Sequence, residues 1–369
     1  ERFFRGVRPP YDVGGTAAEQ GVILRRDAWF FGAALARALK PLCAGAEGTL
    51  LLQDWQAASA ALALAGRNRP PGLRVFLTLH NSYDSGPVMS EDLRAVGIPA
   101  DEVPAPPNRS TMLGRAIPRV EPPLFTVSQQ FARDLTEDVL QARILADHLQ
   151  EEFAPPRLIG VDNGPFAPLS VPEAPVLAEA RRHRYDALRM WKSRRKAECI
   201  AALERFAPDE ERRPVWGRTE SFVAAARDRA DPPWFVLAGR DDPRQKGYDV
   251  AAAAIEGILQ KAGGGRTAQF LFFPIPGDEG RGGLAFLRRL AEAYPEDVVV
   301  LPFIFQEGYR SALQGSAFGV MPSLYEPFGM ANEFYLNGAV GIGRATGGLL
   351  QQIVPLRSVP SFTAGVASR

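Results

Sequence analysis

The sequence predicts an α/β protein built from two Rossmann-like domains, each with a parallel sheet. Short apolar runs alternate with helical stretches along most of the 369 residues, and this alternation is typical of strand–helix–strand units. Several apolar runs end directly in polar residues or glycines, as strands do when their carboxyl ends carry a ligand site. The chain is also longer than one typical hydrophobic core requires, so two domains are expected.

The predicted first domain covers residues 1–165 and contains four strands. Each is a short apolar run that ends in polar residues, and helical patterns separate the runs. Ser128 directly follows the third run and is expected to cap the next helix. The segment 84–120 is rich in proline, glycine and serine, so it predicts a long loop or a mobile excursion. The predicted strands are Thr49–Leu52, Leu73–Leu79, Leu124–Val127 and Arg157–Val161.

Residues 166–231 are expected to form a linker and a charged helical insertion. Prolines punctuate the beginning, a helix is predicted over Ala178–Leu203, and residues 207–231 show no periodic pattern. The basic face at 181–196 could contact a phosphate or polyanion, although a solvated helix face is the commoner explanation. The net charge of +1 gives no support for a nucleic-acid or membrane partner, and neither is expected.

The predicted second domain covers residues 232–369 and repeats the alternation. Its stretch 317–349 is typical of a strand, an acidic loop, a short helix, a second strand and a glycine loop. In open α/β sheets, ligands bind outside the carboxyl ends of the strands, and helix N-termini there favour anions. The predicted strands are Trp234–Ala238, Gln269–Phe273, Val298–Ile304, Phe318–Met321 and Ala339–Ile342.

Composition and motifs exclude several classes of site. The two cysteines lie far apart, and with three histidines and no carboxylate or cysteine at ligand spacing, a metal site is not expected. No apolar run approaches the roughly 20 residues of a membrane span, and the first residues do not form a signal peptide. The sequence has no P-loop, GxGxxG or GxSxG string. We therefore expect a cytoplasmic protein without a metal or cofactor.

One loop of the second domain carries two cations. Arg240 and Lys246 follow the strand at Trp234–Ala238 and precede a helix. At the carboxyl end of a strand they could neutralise a diphosphate, since arginine suits bidentate contact with phosphate oxygens. A solvated loop with local pairs to Asp241 and Asp242 explains the same residues equally well.

Other polar residues and glycines follow the predicted strands. His80 comes directly after the second strand, where a lone histidine is more often structural than catalytic. Glu326 follows a strand of the second domain and could accept hydrogen bonds from a sugar hydroxyl. The backbones at Gly329, Gly347 and Gly348 could approach a ligand closely.

Seven strings along the chain resemble, in the same order, strings of the glycogen and starch synthases. They cover roughly residues 27–349 apart from the middle segment, and their shared order makes them specific together. The resemblance is to retaining glycosyltransferases of the GT-B fold, in which two Rossmann-like domains face a central cleft. The strings are LLQDWQAA, with Gln53 in place of the family's histidine, FLTLHNSYDSG, LFTVSQQFARDLT, LIGVDNGPFAP, AGRDDPRQKGYD, MPSLYEPFGM and RATGGL.

This resemblance implies a role for each matching residue. Arg240 and Lys246 would bind the donor diphosphate and stabilise the charge that builds up on the leaving group. Glu326 would bind hydroxyls of the transferred sugar, and His80 would lie over its anomeric region. Further substrate contacts fall in the first domain and in the loops around the short helix. They are Asp54, Asn81, Asn163, Gly329, Met330, Ala331, Asn332, Thr346, Gly347 and Gly348.

The activity implied is the transfer of glucose, with retention, from a nucleotide-diphosphate sugar to a hydroxyl of a glucan or another sugar. ADP-glucose is the preferred donor, and no metal is needed because Arg240 and Lys246 replace it. Two alternatives stay open. One is a non-catalytic carbohydrate-binding or regulatory homologue, and the other is a transferase with another sugar nucleotide and a small-molecule acceptor. The oligomeric state is not predicted.

Parts of the family's pattern have no match in this chain. The family's Lys-x-Gly-Gly loop has Asp12–Gly15 as its nearest counterpart, which lacks the basic residue, and the chain stops soon after RATGGL. We therefore expect the first domain to be incomplete at its start and the second at its end. Glu333 lies one position early for the acidic residue that holds the ribose in related enzymes.

Overall fold

The computed structural model describes two compact units, each with its own parallel sheet. The units are Glu1–Asn163 and Gly164–Arg369, and the α/β prediction is confirmed in both. The Asp12–Gly15 string lies outside the described residues. Those residues are 17–43, 47–65, 69–85, 87–95, 97–98, 110–154, 156–164, 172–228, 232–262, 268–276 and 281–355.

The first unit contains a four-stranded sheet in the order β1-β2-β3-β4. All neighbouring strands run parallel, so their carboxyl ends lie along one edge of the sheet. The four strands match the predicted ones to within one residue at either end. They are β1 (Gly48–Gln53), β2 (Leu73–Leu79), β3 (Leu124–Thr126) and β4 (Leu158–Gly160). The helices are α1 (Ala17–Leu42), α2 (Asp54–Ala63), α3 (Ser90–Ala95), α4 (Met112–Ala116), α5 (Gln129–Glu137) and α6 (Gln150–Phe153).

The segment 84–120 is more ordered than its composition predicts. Its described part contains α3 and α4, and Asp84 ties its two ends together. The Asp84 carboxylate accepts the Leu113 N–H at 3.0 Å and contacts His148 Nε2 at 2.9 Å. Buried apolar side chains, among them Val88 and Met112, supply the core contacts that a proline- and glycine-rich composition conceals. The prediction of a long loop is therefore wrong for the described part, which contains these two helices.

The second unit contains a five-stranded parallel sheet in the order β7-β6-β5-β8-β9. Its strands bury both faces, with Val236 and Leu271 on one side and Leu237 and Phe272 on the other. The strands are β5 (Trp234–Arg240), β6 (Gln269–Ile275), β7 (Val298–Val300), β8 (Phe318–Met321) and β9 (Val340–Gly343). The helices after β5 are α10 (Tyr248–Ala262), α11 (Ala285–Ala293), α12 (Tyr309–Gly315), α13 (Ala331–Leu336) and α14 (Gly347–Gln352).

The middle segment 166–231 packs into the core of the second unit where it is described. It forms three helices, α7 (Ala174–Arg181), α8 (Asp186–Arg205) and α9 (Thr219–Asp228). The single predicted helix is interrupted where His183 adopts a φ of 59°, and α9 was missed in a stretch predicted to be a loop. The buried residues Leu203 and Phe222 belong to the same core cluster as β5 and β6. The three-part division into domains stays a prediction.

Two lysines on the basic face of α8 are used inside the second unit. Lys192 Nζ donates to the carbonyl oxygens of Gln314 at 3.3 Å and Ser316 at 2.6 Å. One turn later, Lys196 Nζ donates to the Pro232 carbonyl at 2.6 Å. The Ser316 and Pro232 carbonyls lie just before β8 and β5, and that of Gln314 lies near the end of α12, so the two lysines fasten α8 to the amino ends of adjacent strands. The geometry supports neither a solvated face nor a polyanion site for these two residues.

Lys192 makes the stability of the second unit depend on pH in a predictable direction. Burial, with the nearby Lys196 charge, lowers the pKa of Lys192 from its usual 10.5 to about 8. Between these values the unfolded lysine is protonated and the folded one is neutral, so the free energy of unfolding should rise with pH. The shift corresponds to at most about 3 kcal/mol.

Urea unfolding across this pH range should therefore show a rise that Lys192→Met removes. Arg194→Met is the matched control, because Arg194 lies on the exposed side of the same helix and should leave the rise intact. An equal rise in the Lys192→Met variant would contradict the assignment of the pKa to this side chain.

Candidate functional site

Two neighbouring strand ends bring three of the predicted site residues together in the first unit. Asp54 begins α2 directly after β1 and adopts a φ of 60°, which is uncommon for a residue with a side chain. Its carboxylate accepts the backbone N–H of His80 at 2.6 Å and that of Asn81 as well. Asp54 therefore holds the main chain that follows β2.

The pKa of the Asp54 carboxyl reflects both its partial burial and its hydrogen bonds. Desolvation raises the pKa of its carboxyl above 3.8, and the amide hydrogen bonds from His80 and Asn81 act in the opposite direction. The His80 ring also lowers it. Desolvation prevails, so the carboxylate is held in a setting that favours its neutral form more than water does.

The His80 ring contacts a residue that the site prediction did not include. Gln53 Oε1 lies 2.6 Å from His80 Nε2, and β1 places Gln53 opposite Thr78 in the sheet register. Asn81 Oδ1 accepts the N–H of Tyr83 at 2.7 Å and so shapes the turn after β2. Gln53 was noticed in the sequence only as a departure from the family string, and that departure was the available signal.

Asn163 lies at the same sheet edge but apart from this group. It follows β4, and its N–H donates to the Val127 carbonyl at 3.2 Å. A side chain at Gly160 would collide with the backbone of Ser128 and Gln129, so β4 packs directly against the start of α5. Ser128 caps that helix as predicted, accepting the Phe131 N–H at 3.0 Å.

A nearly buried ion pair forms the centre of the candidate site in the second unit. Lys246 Nζ lies 2.8 Å and 3.1 Å from the two carboxylate oxygens of Glu326. The side chains are 11% and 9% exposed, so neither charge is well solvated. Buried charges need such partners, because an unpaired one would carry its full desolvation cost. Of the two explanations left open for the loop, local pairing of Lys246 with Asp241 or Asp242 is not what the structure has.

Backbone contacts hold the two loops of this pair together. Gln245 Nε2 donates to the Tyr325 carbonyl at 2.7 Å, and Gln245 O accepts the Leu324 N–H at 2.8 Å. Gly247, with a φ of 69°, packs so closely on Pro322 that a side chain would collide with its carbonyl oxygen. Gln245 was not among the predicted site residues, although it directly precedes Lys246 in the matching string.

Arg240 differs from Lys246 in its exposure to solvent. Arg240 is the last residue of β5 and is exposed, whereas Lys246 is screened by Glu326. Gly239, directly before Arg240, leaves room for the aliphatic part of the Lys246 side chain, because a Cβ at this position would lie 3.1 Å from Lys246 Cδ. The same point is 3.2 Å from the buried Tyr248 hydroxyl. The loop therefore offers one exposed cation and one nearly buried cation at the carboxyl end of a parallel strand.

The predicted glycine loop closes over the acidic loop. Gly348 N–H donates to the Glu326 carbonyl at 3.0 Å, and Gly347 has a φ of 45°. A side chain at Gly347 would collide with the Glu326 carbonyl, and one at Gly348 with that of Phe328. Thr346 precedes α14 and makes no capping hydrogen bond with its side chain. These glycines are required by close backbone packing in the absence of any ligand.

The turn before α13 is held by a residue that was also missed. Gln352 Oε1 accepts the Asn332 N–H at 3.1 Å, and Gln352 Nε2 donates to the Phe328 carbonyl at 2.6 Å. Gly329 has a φ of 85° within this turn. Met330 is half-buried and Ala331 is buried. In this structure the Asn332 amide is therefore engaged by Gln352 and is not directed at a ligand.

Glu333 extends this polar region. Burial raises the pKa of its carboxyl. The pKa of the Tyr309 hydroxyl is raised mainly by the burial of Tyr309 and further by the Glu333 charge. Glu333 is half-buried on α13. It is the acid that the sequence placed one position early for a ribose contact.

Within the described ranges, no group of three or more histidine, cysteine, aspartate or glutamate side chains could hold a metal ion. In the same part of the chain, no helix combines the length and apolar character needed to cross a bilayer.

Comparison with known proteins gives a glycosyltransferase family model and glycogen synthases as sequence relatives. Residues 201–333 match the model of the family described as Family 4 Glycosyltransferase in conflict systems. A glycogen synthase of Pseudomonas syringae pv. syringae (strain B728a) is 26% identical over 81% of this chain and 55% of its own length. Glycogen synthase 1 of Geobacter sulfurreducens (strain ATCC 51573 / DSM 12127 / PCA) is 35% identical over 33% of this chain and 23% of its own. The chain thus spans about half the length of the Pseudomonas relative.

Solved structures with the same architecture show the fold. The catalytic domain of Starch Synthase IV from Arabidopsis thaliana, bound to ADP and acarbose, has a TM-score of 0.66 and 18% identity, over 94% of this chain and 65% of that one. A UDP-forming α,α-trehalose-phosphate synthase from Burkholderia xenovorans, in complex with glucose-6-phosphate, has a TM-score of 0.51 and 15% identity, over 99% and 73% of the two chains. The two parallel sheets are those of a GT-B protein.

Proposed function

We propose that this GT-B chain, a homologue of the glycogen synthases, is a retaining glycosyltransferase that moves glucose from a nucleotide-diphosphate sugar to a sugar hydroxyl. ADP-glucose is the proposed donor, and a glucan or another sugar is the acceptor. The observation that carries the proposal is the Lys246–Glu326 pair beside the exposed Arg240. Parallel strands end at this edge, where α/β proteins bind their ligands.

The charges of the second unit fit a sugar diphosphate. Arg240 is exposed and would reach a phosphate first, with a fork geometry suited to two oxygens. Lys246 would turn from Glu326 to the diphosphate, because a dianionic ligand offers it more negative charge than one carboxylate does. Glu326, released from the pair, would then accept hydrogen bonds from hydroxyls of the transferred sugar.

The loops around α13 would hold the distal phosphate and the sugar. The proposed contacts are the backbones of Gly329, Met330, Ala331, Asn332, Thr346, Gly347 and Gly348. The Asn332 amide would become available only if Gln352 moved away from it, since the two are hydrogen-bonded at 3.1 Å. Gln352 is therefore a residue that ligand binding would displace.

The first unit would supply the groups that meet the reacting sugar and its acceptor. His80 would lie over the anomeric region, and Asp54, Asn81 and Asn163 would line the same cleft. Asp54 holds the His80 and Asn81 backbones, so its part is to fix their positions. A pair of flanking carboxylates, as in glycosidases, is not required.

Retention of configuration would follow from attack on the face that the diphosphate leaves. In that scheme the bond from the anomeric carbon to the phosphate oxygen breaks as the acceptor oxygen approaches from the same side. The departing phosphate takes the acceptor proton, so no protein base is needed. Arg240 and Lys246 would stabilise the growing negative charge, which is the role that a metal ion has in other transferases.

A second candidate differs in its substrates. The family whose model matches residues 201–333 is described by conflict systems and not by polymer synthesis, and the Burkholderia structure belongs to a UDP-forming enzyme. The alternative we propose is a transferase with another sugar nucleotide and a small-molecule acceptor. A non-catalytic carbohydrate-binding protein is the outcome to expect if no donor is consumed.

A panel of sugar nucleotides separates these possibilities. We expect ADP-glucose to raise the melting temperature, because a ligand that binds only the folded state stabilises it by an amount that grows with the ratio of its free concentration to its Kd. With maltooligosaccharide as acceptor, ADP release should follow, and UDP-glucose and GDP-mannose serve as comparisons. A stronger response to UDP-glucose would favour the second candidate. Binding of acceptor sugars without release of nucleotide from any donor would contradict the transferase proposal.

A further inference from the structure

Gln53 is placed to control the chemistry of His80. It is the last residue of β1, and its side-chain oxygen lies 2.6 Å from His80 Nε2. Parallel pairing of β1 and β2 puts Gln53 opposite Thr78, so the two strands end side by side and the contact spans adjacent loops. The sequence singled out this position because the related synthases have a histidine there.

The ring and the backbone of His80 are held by different neighbours. Asp54 Oδ1 accepts the His80 N–H at 2.6 Å and so fixes the main chain. Among the described residues, Gln53 alone makes a hydrogen bond with the imidazole ring. Asp54 is the charged group that faces His80, and its carboxylate is already occupied by the two backbone amides. Its hydrogen bonds therefore fix the backbone and leave the choice of ring tautomer to Gln53.

An amide oxygen can accept a hydrogen bond but cannot donate one. With Gln53 Oε1 facing His80 Nε2, as the structure has it, that ring nitrogen is the donor and carries the proton. A neutral imidazole has one ring proton, so the lone pair is then on Nδ1. We propose that Gln53 is a positioning residue that holds His80 as the Nε2–H tautomer and leaves Nδ1 as the accepting ring atom.

The consequence for substrate recognition rests on the proposed transferase function. With Nε2 tied to Gln53, the His80 ring would meet the transferred sugar through Nδ1, as a hydrogen-bond acceptor. The sugar group opposite it must then be a hydroxyl that donates its proton. Gln53 is in this sense a specificity-determining residue that acts through His80.

Nuclear magnetic resonance can test the tautomer without any assumption about activity. The chain has three histidines, so ¹⁵N-histidine labelling gives a simple spectrum, and His80→Asn identifies the His80 signals. At a pH of about 8, above the ordinary histidine pKa of about 6.5, we expect the proton on Nε2 in the parent protein. Gln53→Leu should mix the two tautomers, while Gln53→Glu, which can only accept there, should keep the Nε2–H form.

Gln56→Leu is the matched control. Gln56 is exposed on α2, three residues further along, and its loss should leave the His80 signals unchanged. A parent protein with the proton on Nδ1, or with both tautomers in similar amounts, would overturn the proposal. So would a Gln53→Leu spectrum identical to that of the parent.

The kinetic arm separates this proposal from the proposed function. If the chain consumes a sugar nucleotide, Gln53→Leu should lower kcat/KM by about tenfold, the effect of losing one oriented hydrogen bond, and Gln53→Glu should restore most of it. If no donor is consumed but the Nε2–H signal depends on Gln53, the transferase proposal fails and the tautomer assignment stands. If turnover is normal and the signal is independent of Gln53, only the tautomer assignment fails.

Discussion

Replacing Lys246 with methionine is expected to lower kcat/KM for the donor nucleotide by about 10²–10³-fold, the usual effect of removing one preorganised group that stabilises developing charge. Lys246 Nζ is the nearly buried cation of the strand-end loop and contacts both oxygens of Glu326. Its proposed role is to stabilise the negative charge that grows on the diphosphate as the bond to the sugar breaks. The loss should appear mainly in kcat, because this interaction is strongest in the transition state.

Removing Lys246 also affects stability, because it breaks the ion pair with Glu326. Lys246→Met leaves the Glu326 carboxylate 9% exposed and without its partner, which is expected to cost about 3–5 kcal/mol of stability. Adding Glu326→Gln replaces the orphaned charge with a neutral amide and should restore much of that loss. Stability should therefore recover in the double variant, while activity should not.

Measured against the Glu326→Gln single variant, this difference in recovery separates a catalytic role of Lys246 from a structural one. Arg244→Met serves as the control, because Arg244 lies in the same loop and is exposed; it should change neither property by more than a small amount. If the double variant turned over donor at the parental rate, Lys246 would be a structural residue and the diphosphate assignment would be wrong. Urea unfolding and initial rates on the same preparations provide both measurements.

The sequence was sufficient for the existence and order of the strands, although β7 ends at Val300, before its predicted end at Ile304. A buried parallel strand appears as a short apolar run between polar residues, and β2 and β8 were predicted with the bounds that the structure has. Ser128 was recognised as a helix cap because capping depends on its own side chain and on residues within one turn. Features determined by neighbours in sequence could thus be predicted.

Features determined by contacts between distant segments could not. Lys246 and Glu326 are 80 residues apart, and local spacing gave Lys246 nearer acids with which to pair. The lysines of α8 looked like a solvated face because periodicity does not reveal which face another element covers. In the structure Lys192 meets the carbonyl of Ser316. Gln53 likewise became relevant only when β1 and β2 were seen side by side.

Gly347→Ala is expected to have the largest effect on stability of any single methyl addition at the site. The residue has a φ of 45°, where an ordinary residue costs about 1–2 kcal/mol. Its new methyl group would also collide with the Glu326 carbonyl oxygen, and such overpacking adds about 1–3 kcal/mol. Because backbone atoms on both sides cannot rotate away as a side chain can, the glycine loop and the acidic loop must separate.

Two other glycines of the second unit divide this effect into its parts. Gly257 lies inside α10 with open space around it, so Gly257→Ala should stabilise the protein by about 0.5–1 kcal/mol. Gly338 has a φ of 76° but no atom nearer than 3.5 Å to an added methyl group, so Gly338→Ala should show the backbone cost alone. Urea unfolding should therefore rank the three variants as Gly257→Ala, Gly338→Ala and Gly347→Ala, from most to least stable. If Gly347→Ala were no less stable than Gly338→Ala, the close packing of the glycine loop on Glu326 would be disproved. A donor that needs both Glu326 and the Gly347 backbone can bind only while the acidic loop and the glycine loop remain in contact.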